Sequence, residues 1–242
     1  MTDTVTARRR IFLMRHGSVS YFDETGRPHL PETVPLNETG RAQASAAGRV
    51  FAAEGMHFDR VIVSGLPRTV ETATRVLAET RQQVQLETWP ELAEIRGGKL
   101  SGIPDEQLRE AFTGAFDGVV PEQRQFLGGE SVAELMDRVH PALARLLADP
   151  GWDTVLLVLH GGVNRAILSY ALTGGQRLFL GNLSQAAGCI NALDVGQAPH
   201  DWLVRFSNFS PPSPLQTATR TTTMEQLLEQ YKKSRLLSHQ IK

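Results

Sequence analysis

Short apolar runs separated by stretches of helical periodicity are the feature that most constrains how this chain folds. Residues 11–14 (Ile-Phe-Leu-Met), 60–63 (Arg-Val-Ile-Val) and 154–159 (Thr-Val-Leu-Leu-Val-Leu) are nearly unbroken in apolar character, and 188–195 is a weaker fourth run. Continuous rather than alternating apolar runs belong to strands buried on both faces, as in a parallel sheet covered by helices. Between them, residues 37–54 are rich in alanine, and 66–81 carry Val70, Ala73, Val76 and Leu77 at helical spacing. Ser131-Val132-Ala133-Glu134 is a capping-box start for a helix with Leu135, Val139, Leu143 and Leu146 on one stripe, and 162–172 reads as a further helix. The alternation predicts a doubly wound α/β domain.

A chain of 242 residues has enough length to bury its own core without disulfides or metals. Its 41% hydrophobic and 21% charged residues exclude a disordered or fibrous class. The balance of 25 Lys+Arg against 26 Asp+Glu excludes a broad basic surface, so no nucleic-acid partner is expected. The run 155–159 is far short of the roughly 20 apolar residues of a spanning helix, so no membrane partner is expected either. Arg8-Arg9-Arg10 precedes only four apolar residues, too few for a secretory segment. The single cysteine, Cys189, lies in a strand pattern, reads as a core residue and has no partner for an internal disulfide. A cytoplasmic protein is the expectation.

Residues 1–209 are expected to form one catalytic domain, with a less regular, cap-like insertion at about 102–129. Ser210-Pro211-Pro212-Ser213-Pro214 and a Thr-rich stretch then read as a linker. It leads to an amphipathic helix with Met224, Leu227, Leu228 and Tyr231 on one face and Thr222 with Glu225 as a capping box. That face is expected to pack on its own subunit or to form a homo-oligomer contact, and the tail is expected to be dispensable for chemistry.

In open α/β sheets, ligands bind beyond the carboxyl ends of the strands. Three predicted strands are followed by Arg15-His16-Gly17, Ser64-Gly65-Leu66-Pro67-Arg68 and His160-Gly161-Gly162. Two histidines and two arginines can thus meet in one pocket, with a carboxylate from Glu91 or Glu94. Arginine forks match phosphate oxygens, a neutral imidazole can carry a phosphoryl group, and a carboxylic acid can protonate a leaving alkoxide. This set needs neither metal nor cofactor. The bland readings are a structural histidine pair and arginines that solvate helix ends.

The order of these motifs decides between the readings. Arg15-His16-Gly17, Pro35-Leu36 with Gly40 and Gln43-Ala44, Ser64-x-Leu66-x-Arg68-Thr69-x-x-Thr72-Ala73, Glu91-Leu92-x-Glu94 with Gly98 and Gly102, Gly128-Gly129-Glu130-Ser131 and His160-Gly161-Gly162 follow one another across roughly residues 10–195. In this the chain resembles the histidine phosphatase (phosphoglycerate mutase-like) superfamily, the branch with the Arg-His-Gly motif. The resemblance implies a three-layer α/β/α sandwich around a mostly parallel sheet. It also implies His16 as the nucleophile, Arg15, Arg68, His160 and Gly161 around the phosphate, and Glu94 as proton donor, with Glu91 the lesser candidate.

The chain departs from the family pattern at several positions. Tyr21 and Phe22 stand where the family often has a phosphate-binding asparagine, and Leu100 replaces a common tryptophan. Glu94 continues as Ile95-Arg96-Gly97-Gly98, not as the Arg-His-Tyr-Gly of phosphoglycerate mutases proper, whose Arg-Arg-Ser stretch is also missing. The expectation is a phosphatase acting on small phosphorylated metabolites. The alternatives are a phosphomutase and a catalytically silent binder of phosphorylated ligands. Specificity is expected in the loop at 21–35, where His29 lies, and in the insertion, with Arg96, Arg109 and Arg124 as candidate contacts for a second anionic group.

Overall fold

The computed structural model describes residues 8–23, 27–217 and 220–240. Six strands form one sheet: β1 (Arg9–Arg15), β2 (Arg60–Val63), β3 (Leu86–Thr88), β4 (Thr154–Leu159), β5 (Ile190–Val195) and β6 (Trp202–Phe209). Their spatial order is β3-β2-β4-β1-β5-β6. The pairs β3–β2, β2–β4 and β4–β1 are parallel, whereas β1–β5 and β5–β6 are antiparallel. The sheet is therefore mixed and mostly parallel, as the sequence predicts.

Helices cover both faces. Helix α1 (Glu38–Ala53) begins where Asn37 accepts a hydrogen bond from the Gly40 amide, and α2 (Pro67–Thr80) begins at a proline whose missing N–H costs a first turn nothing. They pack on one face through Phe51, Ala73 and Val76, against Phe12, Met14, Leu156 and Val158. On the other face, Ile11, Leu13, Val155, Leu157 and Leu159 meet α4 (Val132–Ala148) and α5 (Gly161–Leu172). Adjacent residues of β1 and β4 thus feed opposite layers, which is why both strands are apolar throughout. Each such buried Leu, Ile or Phe contributes about 1.5–3 kcal/mol. The Ser131–Glu134 capping box that opens α4 is formed in both directions.

The structure corrects the sequence reading in several places. The fourth strand begins at Ile190, not at 188, because Gly188 has φ 72° and its N–H donates to the carbonyl of His16. Strands β3 and β6 were not predicted: β3 has three residues, and β6 is a largely exposed edge lacking a continuous apolar run. The segment at 102–129 contributes Leu108, Phe112, Ala115, Val120, Phe126 and Leu127 to the main core and contains a short helix, α3 (Leu108–Thr113). The Pro-rich stretch is not a free linker: Ser213 and Gln216 close turns, and the Gln216 amide donates to the carbonyl of Asn208 at 2.9 Å. Helix α6 (Thr223–Gln240) starts at the predicted Thr222–Glu225 capping box. Leu228 is buried in this chain's own core, with Met224, Leu227 and Tyr231 against it, so the stripe is covered within one subunit. Among the described residues no helix is long and apolar enough to cross a membrane.

Candidate active site

Three adjacent parallel strands bring the predicted residues together. Register pairs Arg15 with Leu159 and Val63 with Val158, so β1, β4 and β2 end nearly level. Arg15 is the last residue of β1, His16 follows it, Ser64 follows β2, and His160 follows β4. Arg68 stands in the first turn of α2. All five are buried. The rings of His16 and His160 lie edge to face, with centroids 5.2 Å apart.

The tautomer of His16 follows from its neighbour. Nδ1 lies 2.7 Å from the Gly17 carbonyl, which only accepts, so Nδ1 carries the hydrogen and Nε2 the lone pair. Gly17 is itself held by Thr72 Oγ1 at 3.1 Å and by close approach to α1, where a Cβ on Gly17 would come 2.3 Å from the Gly40 carbonyl oxygen. Burial, and then the charges of Arg68 and Arg15, hold the His16 imidazole well below its ordinary pKa. It is a neutral base with its lone pair on Nε2.

His160 is kept neutral in the same way, by burial first and then by His16, Arg68 and Arg15. Its Nε2 lies 2.8 Å from Ser64 Oγ. The Thr69 hydroxyl donates to the Leu66 carbonyl, so Ser64 has one hydrogen for two acceptors, Thr69 Oγ1 at 3.1 Å and His160 Nε2 at 2.8 Å; given to the nearer, it makes Nδ1 a donor. Nδ1 is buried with no hydrogen-bond partner among the described residues, and so are Nε of Arg15 and Nε of Arg68. A buried donor left unsatisfied costs about 1–3 kcal/mol. The two arginine Nε donors, joined by Nδ1 in that tautomer, suit an oxyanion with several acceptor oxygens.

The arginines are fixed at their other ends. Arg68 Nη1 donates to the Pro31 carbonyl at 2.6 Å, which ties the loop after β1 to the pocket. Arg15 Nη1 donates to the Gln185 carbonyl at 2.5 Å and to Thr223 Oγ1 at 2.9 Å.

Glu94 reaches the site and Glu91 does not. Glu94 Oε1 accepts the amides of Gly162 and Ile95, both at 3.0 Å, and so caps the N-terminus of α5. Its Oε2, the Arg15 Nε and an Arg165 Nη1 all lie within 4 Å of the position a Cβ would take on Gly161. Glu91 instead pairs with Arg145 at 2.9 Å, and its carboxyl is held below the usual range, first by its own backbone amide and then by Arg145. Gly162 makes room for Glu94: a Cβ there would sit 2.7 Å from Oε1.

Two features support that carboxylate from behind. Arg138, in α4, donates to the carbonyls of Glu91, Ala93 and Glu94 and pairs with Glu130 at 2.7 Å. The loops carrying Gly98 and Gly129 lie backbone to backbone, since a Cβ on Gly129 would come 2.4 Å from the Arg96 carbonyl oxygen.

Arg165 is a site residue that sequence reasoning missed. It stands one turn after Gly161, and helical side chains lean toward the N-terminus, which is the signal that could have found it. Its Nη1 donates to the Gly161 carbonyl at 2.9 Å, and its guanidinium lies 4.7 Å over the ring of Phe116 from the insertion. Burial lowers its pKa to about 10, with Arg15 acting in the same direction and Glu94 against it. Of the expected second-anion contacts, Arg124 pairs with Glu110 at 2.8 Å, whereas Arg96 and Arg109 are exposed; His29, in the loop at 21–35, is exposed as well. Cys189 is buried, and burial raises its thiol to about 11, as fits a core residue.

The mostly parallel sheet thus carries paired imidazoles, arginines and one carboxylate at its strand ends, a set whose chemistry suits a phosphoryl group. The chain belongs to the histidine phosphatase superfamily (branch 1), whose model matches residues 11–208. It is 27% identical over 219 residues to a probable 2-carboxy-D-arabinitol-1-phosphatase of Arabidopsis thaliana, covering 88% of this chain but 44% of the plant protein. The chain thus spans less than half the length of that relative. It is 32% identical over 160 residues to an acid phosphatase of Mycobacterium tuberculosis, covering 66% of this chain and 74% of the relative. Among solved structures, a mycobacterial glucosyl-3-phosphoglycerate phosphatase in complex with inorganic phosphate superposes with a TM-score of 0.63 at 25% identity, covering 84% of this chain and 98% of the other.

Proposed function

We propose that the protein is a metal-independent phosphatase that hydrolyses phosphate monoesters of small metabolites through a phosphohistidine on His16. The observation that carries this reading is the His16 imidazole with its lone pair on Nε2, beside the buried Arg15 Nε, Arg68 Nε and His160 Nδ1, which have no partner among the described residues. In the first step Nε2 attacks phosphorus, the ester P–O bond breaks, and the leaving oxygen takes a proton from Glu94. Arg15, Arg68 and His160 Nδ1 bind the non-bridging oxygens, whose charge they match without rearrangement. In the second step ionised Glu94 takes a proton from water, which attacks phosphorus, and the P–N bond breaks to release inorganic phosphate and restore the imidazole. Glu94 serves both steps through Oε2, since Oε1 is held by two amides.

Two of the similar proteins are named for phosphorylated sugar acids, which supports a small anionic phosphomonoester as substrate. The test is brief exposure to substrate followed by peptide mass analysis, with a chelator present throughout. A phosphate-sized mass increase on His16, absent in His16→Ala, is the expected result. Turnover that the chelator abolishes and a divalent ion restores would overturn it. Release of inorganic phosphate without isomerised product separates hydrolysis from mutase chemistry, and a protein that binds phosphate without turnover is the silent relative.

A further inference from the structure

Arg15 ends the first strand and Thr223 begins the last helix, yet they touch: Arg15 Nη1 donates to Thr223 Oγ1 at 2.9 Å. The same nitrogen donates to the Gln185 carbonyl at 2.5 Å, so both Nη1 hydrogens are engaged. This leaves the Nε–Nη2 edge of the guanidinium, whose Nε is buried and has no partner among the described residues. That edge is one of the paired-donor faces with which arginine binds two oxygens of a phosphate at once.

Helix α6 is fastened in place to make this contact. The Thr222–Glu225 capping box closes its first turn. Leu228 is buried in the main core, the Tyr231 ring lies 5.7 Å from that of Phe112 on α3, and Arg235 pairs with Asp105. Thr223 is thus presented by a helix docked on the inserted segment, not by a loose tail.

We propose that Thr223 is a positioning residue for Arg15: with Gln185 it pins one end of the guanidinium so that the Nε–Nη2 edge is held for the phosphoryl group. The C-terminal helix is then part of the phosphate pocket. This runs against the sequence-based expectation that the tail is dispensable for chemistry, and it rests on the phosphatase reading above. Without the threonine hydroxyl, one Nη1 hydrogen loses its acceptor and the guanidinium gains rotational freedom that phosphate binding must remove.

Thr223→Val keeps the shape and removes the acceptor, whereas Thr223→Ser keeps the acceptor. The full-length variants are compared for binding of inorganic phosphate by calorimetry, for kcat and KM with nitrophenyl phosphate, and for melting temperature. Thr223→Val is expected to weaken phosphate binding about tenfold and to raise KM in step while melting near the wild-type temperature. Thr223→Ser is expected to restore most of both. Leu228→Asp, which undocks the helix, should weaken phosphate binding to the same extent, and adding Thr223→Val to it should change nothing further. Wild-type phosphate affinity in Thr223→Val, or a serine variant as weak as the valine variant, overturns the proposal. A wild-type protein that binds phosphate in a Thr223-dependent way but hydrolyses nothing overturns the phosphatase reading and leaves the positioning role standing.

Discussion

Oε1 of Glu94 lies 3.0 Å from the backbone nitrogen of Gly162, so the carboxylate proposed as proton donor also caps the helix that follows His160. One contact fixes the distance between the acid and the pocket. The amides hold Oε1 in place and leave Oε2 as the oxygen that can exchange a proton with a leaving group or with water.

Glu94→Gln retains an acceptor for both amides and loses proton transfer. Turnover of alkyl phosphates should fall about 10²- to 10⁴-fold without loss of stability. The loss should be smaller for nitrophenyl phosphate, whose leaving group needs no proton, as burst kinetics of the phosphorylation step would show. Equal losses for both substrates in that step would remove Glu94 from the acid role.

Gly162→Ala would place a methyl group 2.7 Å from Oε1 and push the carboxylate aside. A displacement of this kind should lower kcat by about 10²-fold with wild-type nucleophile and arginines in place. Added to Glu94→Gln it should cost little more, because both changes strike the same group. Additive losses in steady-state kinetics would show that the glycine matters for another reason.

His16 and His160 are neutral in the folded protein, and burial also lowers the pKa of His140. In the unfolded chain all three titrate near about 6.5. Between the depressed folded values and that pH the unfolded chain binds more protons, so stability is complete above about 6.5 and falls as pH drops through the window. Urea midpoints should therefore decline below pH 6.5 or so, less steeply in His16→Asn. An undiminished slope in that variant would contradict the burial account. For the same reason the acid limb of kcat/KM should lie below the ordinary imidazole range.

Arg138 and Glu130 form an ion pair whose side chains are 15% and 8% exposed. Arg138→Leu leaves the Glu130 carboxylate buried without its partner and frees three backbone carbonyls around Glu94. The expected cost is about 3 kcal/mol in chemical denaturation, with a loss of kcat larger than that of phosphate affinity. An equal loss in both would mean that the pair supports the whole pocket and not the acid in particular.

Much of the site was legible in the sequence because its residues are local to strand ends. Arg15-His16, Arg68 and His160-Gly161 each follow a strand that its own apolar run announces, and parallel strands must bring their carboxyl ends to one edge. Two helix starts were legible for the same reason: Ser131 and Thr222 satisfy amides a few residues away.

What the tertiary structure alone decided are contacts between residues far apart in the chain. The choice of Glu94 over Glu91 depends on which carboxylate meets the amide of Gly162 and which meets Arg145. Arg165 is held by the Phe116 ring of the inserted segment and the Gly181 carbonyl, and the place of Thr223 depends on a helix docking across that segment. Strands β3 and β6 exist because neighbours offer them backbone partners, not because their residues form an apolar run. Apolar periodicity and capping are short-range and are written in the residues themselves. Hydrogen bonds across long separations have no local signature, and only packing brings their donors and acceptors within 3 Å or so of each other.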